Sequence, residues 1–203
     1  MPTENKSNKI ITMVLALIII VAAVTILYIS LPQEKEKSGG TQTPVQATIL
    51  TVVYGDEQVN YTLQQLENLT SYTGSGGYIK VGMLPDQVVI DGPFNCIGVK
   101  ITTLLSHDFN LPYNYSIAVK ATDNQTKEYY YNLSQINGNA NVYNESGIPN
   151  YTGSMTTILA YKIDGDYITD KGPLWIAFLD EGKITSSRLW TKMVYYIKIN
   201  ELT

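Results

Sequence analysis

Cysteine, histidine and arginine each occur once in these 203 residues, as Cys96, His107 and Arg188. A lone cysteine excludes an intrachain disulfide framework and every multi-cysteine metal site, so packing and backbone pairing must hold the fold together. Charge of either sign is sparse: 14 Lys and Arg stand against 18 Asp and Glu, a formal charge of −4 with a sequence pI near 5.0. Non-specific nucleic-acid binding rests on many cations neutralising phosphates, so no nucleic acid is expected as a partner. Internal repeats, coiled-coil heptads and Gly-rich phosphate loops at helix starts are missing too. A doubly wound nucleotide fold needs strands alternating with helices of about ten or more residues, and this chain lacks such helices.

What is present begins with one long apolar run. Ile10 to Leu31 carries no charge, no Pro and no Gly. At about 1.5 Å per residue it spans a hydrocarbon core of roughly 30 Å. A cleaved signal peptide has a shorter apolar stretch ending in a small-residue site, and Tyr28-Ile29-Ser30-Leu31 offers no such site. No Cys stands at the end of the run to accept a lipid. An uncleaved signal anchor over residues 10–31 is therefore expected. Lys6, Lys9 and the α-amino group precede it, whereas Lys35 and Lys37 are interleaved with Glu34 and Glu36, which places residues 1–9 in the cytoplasm and the rest outside. Seven Asn-x-Ser/Thr sequons follow, at Asn60, Asn68, Asn114, Asn124, Asn132, Asn144 and Asn150, and agree in composition with a glycosylatable outer surface. Residues 32–45 have charge, Gly, Thr and Pro without apolar periodicity, the composition of a flexible tether. Residues 46–203 remain, enough for one domain with its own core.

In that domain apolar residues alternate with period two over Ala47–Val53, Ile117–Ala121 and Thr157–Ile163, rich in β-branched and aromatic types, which predicts strands. Asp164-Gly165 suits a type I′ hairpin, Glu181-Gly182 a similar bend, and Asp123-Asn124-Gln125 a turn into the strand through Tyr129-Tyr130-Tyr131. Helices are few. Thr62-Leu63-Gln64-Gln65 is a capping box that predicts a helix from Leu63 to about Leu69, Ile101 to His107 has one apolar face, and Asn132 with Gln135 has the capping spacing. The expected fold class is α+β, mainly β: a mixed or antiparallel sheet or sandwich with two or three short helices.

Four segments, taken in order, resemble one family. Gly98-Val99-Lys100-Ile101-Thr102-Thr103-Leu104-Leu105 resembles the G-V-P-L-x-x-L-L element of the oxidoreductase molybdopterin-binding domain, the sulfite-oxidase-type fold. Ile158–Gly165 is similar to its following strand and hairpin, Gly172-Pro173-Leu174-Trp175-Ile176-Ala177 to its G-x-P-L-R-L-x-x-P strand, and Arg188 through Ile199 to its closing strand with a basic residue before it. The resemblance implies a sulfite-oxidase-like domain over roughly residues 48–200. In the catalytic members a Cys thiolate well upstream of the Gly-Val element binds molybdenum, and several Arg and His residues hold the cofactor's phosphate. Here Cys96 lies two residues before Gly98, and the upstream stretch Gly74-Ser75-Gly76-Gly77-Tyr78-Ile79-Lys80-Val81 has no Cys. A desolvated pterin phosphate needs several charge-assisted donors, which one Arg and one His do not supply.

Candidate chemistry is correspondingly thin. The resemblance places Lys100, Arg188 and Lys192 near one end of the sheet, which makes them the candidate cofactor- or anion-binding residues. Cys96 reads as a small buried residue before it reads as a metal ligand, and His107, at a helix end, as a capping or surface residue. Tyr129, Tyr130, Tyr131, Tyr143, Tyr151, Tyr195 and Tyr196 could line a groove for a glycan, but neighbours in a strand face opposite ways and sheet packing accounts for them. Asp164, Asp166 and Asp170 cluster in sequence without the facing geometry of a glycosidase pair. No catalytic residue and no metal ligand is assigned. The favoured reading is a membrane-anchored, non-catalytic extracytoplasmic binding or structural module with no cofactor and an unknown ligand or protein partner. The alternatives are a surface oxidoreductase carrying molybdopterin, with Cys96 as an unusual ligand, and a cell-surface glycan- or protein-binding domain of unrelated fold.

Overall fold

A computed structural model describes residues 47–81, 88–169 and 172–202. The expected membrane anchor over 10–31, the tether over 32–45, and Asp170 lie outside the described residues. Among the described residues no helix is long and apolar enough to cross a membrane.

The described chain is mostly strand, in mixed sheets with three short α-helices, in agreement with the expected class. A five-stranded sheet is formed by β1 (Leu50–Tyr54), β2 (Glu57–Tyr61), β5 (Tyr115–Ala121), β6 (Asn124–Asn132) and β13 (Val194–Glu201), in the order β2-β1-β13-β5-β6. Only β1 and β13 run parallel in it; the other pairs are antiparallel. The second sheet has six strands: β3 (Ser71–Val81), β4 (Val88–Lys100), β9 (Thr156–Ile163), β10 (Asp166–Tyr167), β11 (Trp175–Leu179) and β12 (Ile184–Ser186). Its order is β10-β9-β4-β3-β12, with β11 also pairing to β9, and β12 lies parallel to β3. A separate hairpin joins β7 (Asn139–Tyr143) to β8 (Pro149–Ser154), and β7 packs beside β12. The helices are α1 (Leu63–Asn68), α2 (Ile101–Asp108) and α3 (Leu133–Ile136).

Period-two alternation sorts the side chains into two cores. Ile176 and Phe178 of β11, with Leu159 and Tyr161 of β9, pack with Val52, Val119, Ile197 and Tyr131 from the five-stranded sheet in one large core. The alternate residues Trp175, Ala177 and Leu179, with Ile158 and Ala160, turn to the opposite face and form a second core with Tyr78, Cys96 and Trp190. The six-stranded sheet is thus covered on both faces around β11, whose five residues are all buried. Tyr131 ties the large core to the turn after β12: its hydroxyl donates to the Leu189 carbonyl at 3.0 Å and bonds the Thr191 hydroxyl at 2.6 Å.

Local rules place the turns and helices. Asp164 and Gly165 have φ of 53° and 94°, the pair of positive values that a type I′ hairpin requires, and Glu181-Gly182 shows the same pattern. Thr62 and Asn132 each close a capping box with the Gln three residues on. The glycines before Tyr78 belong to a strand interior, which the period-two reading of the sequence does not reach. A Cβ on Gly76 would come within 2.4 Å of the Phe178 carbonyl, and one on Gly98 within 2.2 Å of the Leu159 carbonyl, so β11 and β9 approach where side chains are absent.

Candidate functional site

The three cationic candidates fall in different places. Lys100 ends β4 at the N-cap of α2, exposed, with its ammonium 5.1 Å from the centre of the Tyr72 ring. In the register of the second sheet, Val99 faces Ser71, whereas Ser186 faces Ile79 at the far end of β3. At about 3.3 Å per residue, Lys100 and Arg188 are roughly 25 Å apart along the strand. The expectation that all three converge on one end of the sheet is therefore not met: Lys100 stands apart, and Arg188 and Lys192 approach the Tyr78–Lys80 end of β3 by different routes.

Lys192 is taken up by the second core. Its Nζ lies 3.9 Å from the centre of a Trp175 ring and 4.9 Å from that of Tyr78, and donates to the Tyr78 hydroxyl at 2.7 Å. Tyr78 packs 5.3 Å from Trp190 and 6.0 Å from Phe94, ring centre to ring centre, and Trp190 Nε1 donates to the buried Thr185 hydroxyl at 2.9 Å. The Tyr78 hydroxyl also bonds Asp91, which Lys80 pairs with at 2.8 Å. Hydrogen bonds from Lys80 and then Tyr78 hold the Asp91 carboxyl below its ordinary value, while burial and the neighbouring carboxylate raise the Tyr78 phenol. Cys96 is fully buried in this core, where burial pushes its thiol up to about 12 with a smaller contribution from Asp164.

Arg188 faces a different environment. The turn Ser187–Leu189, capped by the Ser186 hydroxyl, presents it at the surface. It lines two cavities of about 460 and 200 Å³ that share Tyr143, Ser186 and Arg188. Asn139, Asn141 and Tyr143 reach this groove from alternate positions of β7, while Ala140 and Val142 between them are buried. Thr152 on β8 donates to Asn141 Oδ1 at 3.1 Å across the hairpin. Among the described residues no Asp or Glu lines either cavity, and the Arg188 guanidinium has no side-chain partner. Lys80 borders the smaller cavity with its ammonium engaged by Asp91.

The remaining candidates scatter. His107 sits exposed at the end of α2, its Nε2 4.0 Å from Asp108 Oδ1, beside a cavity of about 320 Å³. Tyr131 is core, Tyr130 is exposed, Tyr195 and Tyr196 pair with each other on β13, and of the seven tyrosines only Tyr143 reaches the groove. Asp164 serves its own turn, accepting from the Asn95 amide at 2.9 Å. Among the described residues no three His, Cys, Asp or Glu side chains gather as a metal site. Sequence reading singles out Tyr143 among the tyrosines but misses Lys80, Asn139, Asn141 and Thr152 beside it. The signal was there in the alternation Asn139, Asn141, Tyr143, which puts three polar side chains on one face of a strand.

No protein-family model matches the chain, and no curated protein matches it. Among solved structures it is similar to the crystal structure of the sulfane dehydrogenase SoxCD from Paracoccus pantotrophus, with 14% sequence identity and a TM-score of 0.49. The match covers 75% of this chain and 38% of that one.

Proposed function

We propose that this chain is a membrane-anchored, extracytoplasmic, non-catalytic binding module of sulfite-oxidase-like arrangement without the pterin cofactor, and that its ligand occupies the groove over Arg188. The observation that carries the reading is the chain's one guanidinium standing unpartnered, among the described residues, in a polar groove free of carboxylates. The residues present fit a molybdopterin poorly. The only thiol is fully buried and its proton is held up to about 12, the opposite of a metal-binding thiolate. The cations that would grip a phosphate are divided between the Ser71 end of β3, the aromatic core and the groove.

The sequence order behind the resemblance has structural counterparts in the β9–β10 hairpin at Asp164-Gly165 and the terminal strand β13. The extracytoplasmic placement rests on the apolar run Ile10–Leu31 and its flanking charges; the seven sequon asparagines, all exposed, agree with it.

Two measurements test this reading. The full chain, purified in detergent from cells supplied with molybdate, should contain far less than one molybdenum per chain; a stoichiometric content overturns it in favour of a surface oxidoreductase. In fractionated cells the full chain should sediment with membranes, and protease added to intact cells should remove the domain after residue 46. Recovery of the full chain in the soluble fraction refutes the anchoring.

A further inference from the structure

We propose that the Arg188 groove binds a sugar unit bearing one negative charge, of the uronate kind, within an acidic polysaccharide; this rests on reading the domain as a binding module. Four features of the groove select that chemistry together.

The first is charge. In a chain of net charge −4, no acidic side chain among the described residues lines this groove, and among them its one uncommitted cation is Arg188. Lys80 at its border is neutralised by Asp91 at 2.8 Å. One free guanidinium matches one unit of negative charge, and its planar fork matches a carboxylate through two parallel N–H donors. The second is the wall chemistry: Asn139, Asn141, Thr152 and Ser186 offer amides and hydroxyls, the groups that pair with the hydroxyls of a sugar. A small inorganic anion would leave most of them unused. Asn141 is already oriented by the hydrogen bond from Thr152, which leaves its amide N–H groups to donate.

The third is shape. The larger cavity, at about 460 Å³, lies within the usual range of about 300–1,000 Å³ for a small-ligand site, and the smaller continues it past Tyr143. Tyr143, half-buried and lining both, offers a ring face against which the C–H groups of a sugar can rest. The fourth is what the walls lack. Among the described residues Ala140, Leu189 and Ile79 are the only aliphatic ones lining the two cavities, too few for the buried anchors on which a docked peptide depends.

The test titrates the detergent-solubilised full chain with trigalacturonate, with its fully methyl-esterified form, which keeps the hydroxyls and loses the charge, and with sodium sulfate. Trigalacturonate should bind at least about tenfold more tightly than the ester, the scale of one hydrogen-bonded charge. Arg188→Gln should erase that difference, and Arg188→Lys should keep part of it because the charge remains without the fork. Circular dichroism confirms that both variants are folded. Equal binding of acid and ester, sulfate competing as strongly as the sugar, or no binding of trigalacturonate each overturns the proposal. An ester that binds as well as the acid and is lost in Asn141→Ala would refute the uronate class alone and leave the binding module standing, whereas stoichiometric molybdenum removes both.

Discussion

Lys192 and Arg188 are four residues apart in sequence and have opposite fates. Lys192 is pressed between Trp175 and Tyr78, its ammonium hydrogen-bonded, and works as part of a core. Arg188 is exposed over a groove of amides and hydroxyls. A half-buried cation against aromatic faces gains from the ring quadrupoles and contributes to stability. A cation held at the surface without a partner contributes little to folding and remains available to a ligand. The same residue class, a few positions apart, is thus packed into a core in one setting and, in the proposed function, a recognition group in the other, and the difference lies in the neighbours that the fold supplies.

Four measurements would break or sharpen that contrast, the largest effect first. Trp190→Ala should cost about 3–5 kcal/mol, because it empties a site packed by Tyr78 and Phe94 and leaves the buried Thr185 hydroxyl without its donor. Urea denaturation of the full chain followed by circular dichroism reads this, and a loss below about 1 kcal/mol would show that the aromatic cluster is not a true core.

The alkaline limb of stability comes next. Burial, foremost, raises the phenols of Tyr61, Tyr78 and Tyr131 above their ordinary value. Unfolded tyrosines ionise near pH ~10. Above that pH the unfolded state has lost protons that the folded state still holds, so stability is complete below about pH 10 and falls as pH rises beyond it. Denaturation midpoints between pH 8 and about 11 should show the fall, and Tyr131→Phe should make it shallower. A flat profile would place these hydroxyls in water.

Third, Lys192→Ala should cost about 1–3 kcal/mol, whereas Arg188→Gln should stay within ~0.5 kcal/mol of wild type. Equal losses would erase the distinction between the two cations. The smallest effect is expected at Asp91. Its depressed carboxyl contributes stability that is present above the ordinary carboxylate value of about 3.9 and is lost as pH falls through its folded value, so Asp91→Asn should flatten the acid limb. The group is a third exposed, which makes the change modest, and an unchanged acid limb would mean that the Lys80 pair is fully screened.

Much of the local structure could be read in advance because its causes are local. Thr62 and Gln65, Asn132 and Gln135, and Asp164-Gly165 carry their hydrogen-bond partners or their positive φ within three residues, and the helices and hairpin follow. The strands over Ile117–Ala121 and Thr157–Ile163 were legible from alternation. The long pair β3 and β4 was not, because Gly74, Gly76 and Gly77 interrupt any alternation, and only the structure shows Leu179 packed against the first two and Ile184 against the third. The site was less legible than the fold. The family resemblance groups Lys100, Arg188 and Lys192, yet the register of β3 with β4 and β12 sets Lys100 far from the other two.

From the sequence alone came the scarcity of thiol, imidazole and guanidinium, the apolar run at Ile10–Leu31, the mainly β class and the caps and turns, all properties of composition or of neighbours a few residues apart. Only the tertiary structure decided which cation packs, half-buried, against aromatic rings and which faces the groove, and that Asn139, Asn141 and Tyr143 meet Arg188 across some forty-five residues of chain. Side-chain environment depends on pairings between distant strands, and register, which a shift of one residue would invert, is set by packing across the whole sheet.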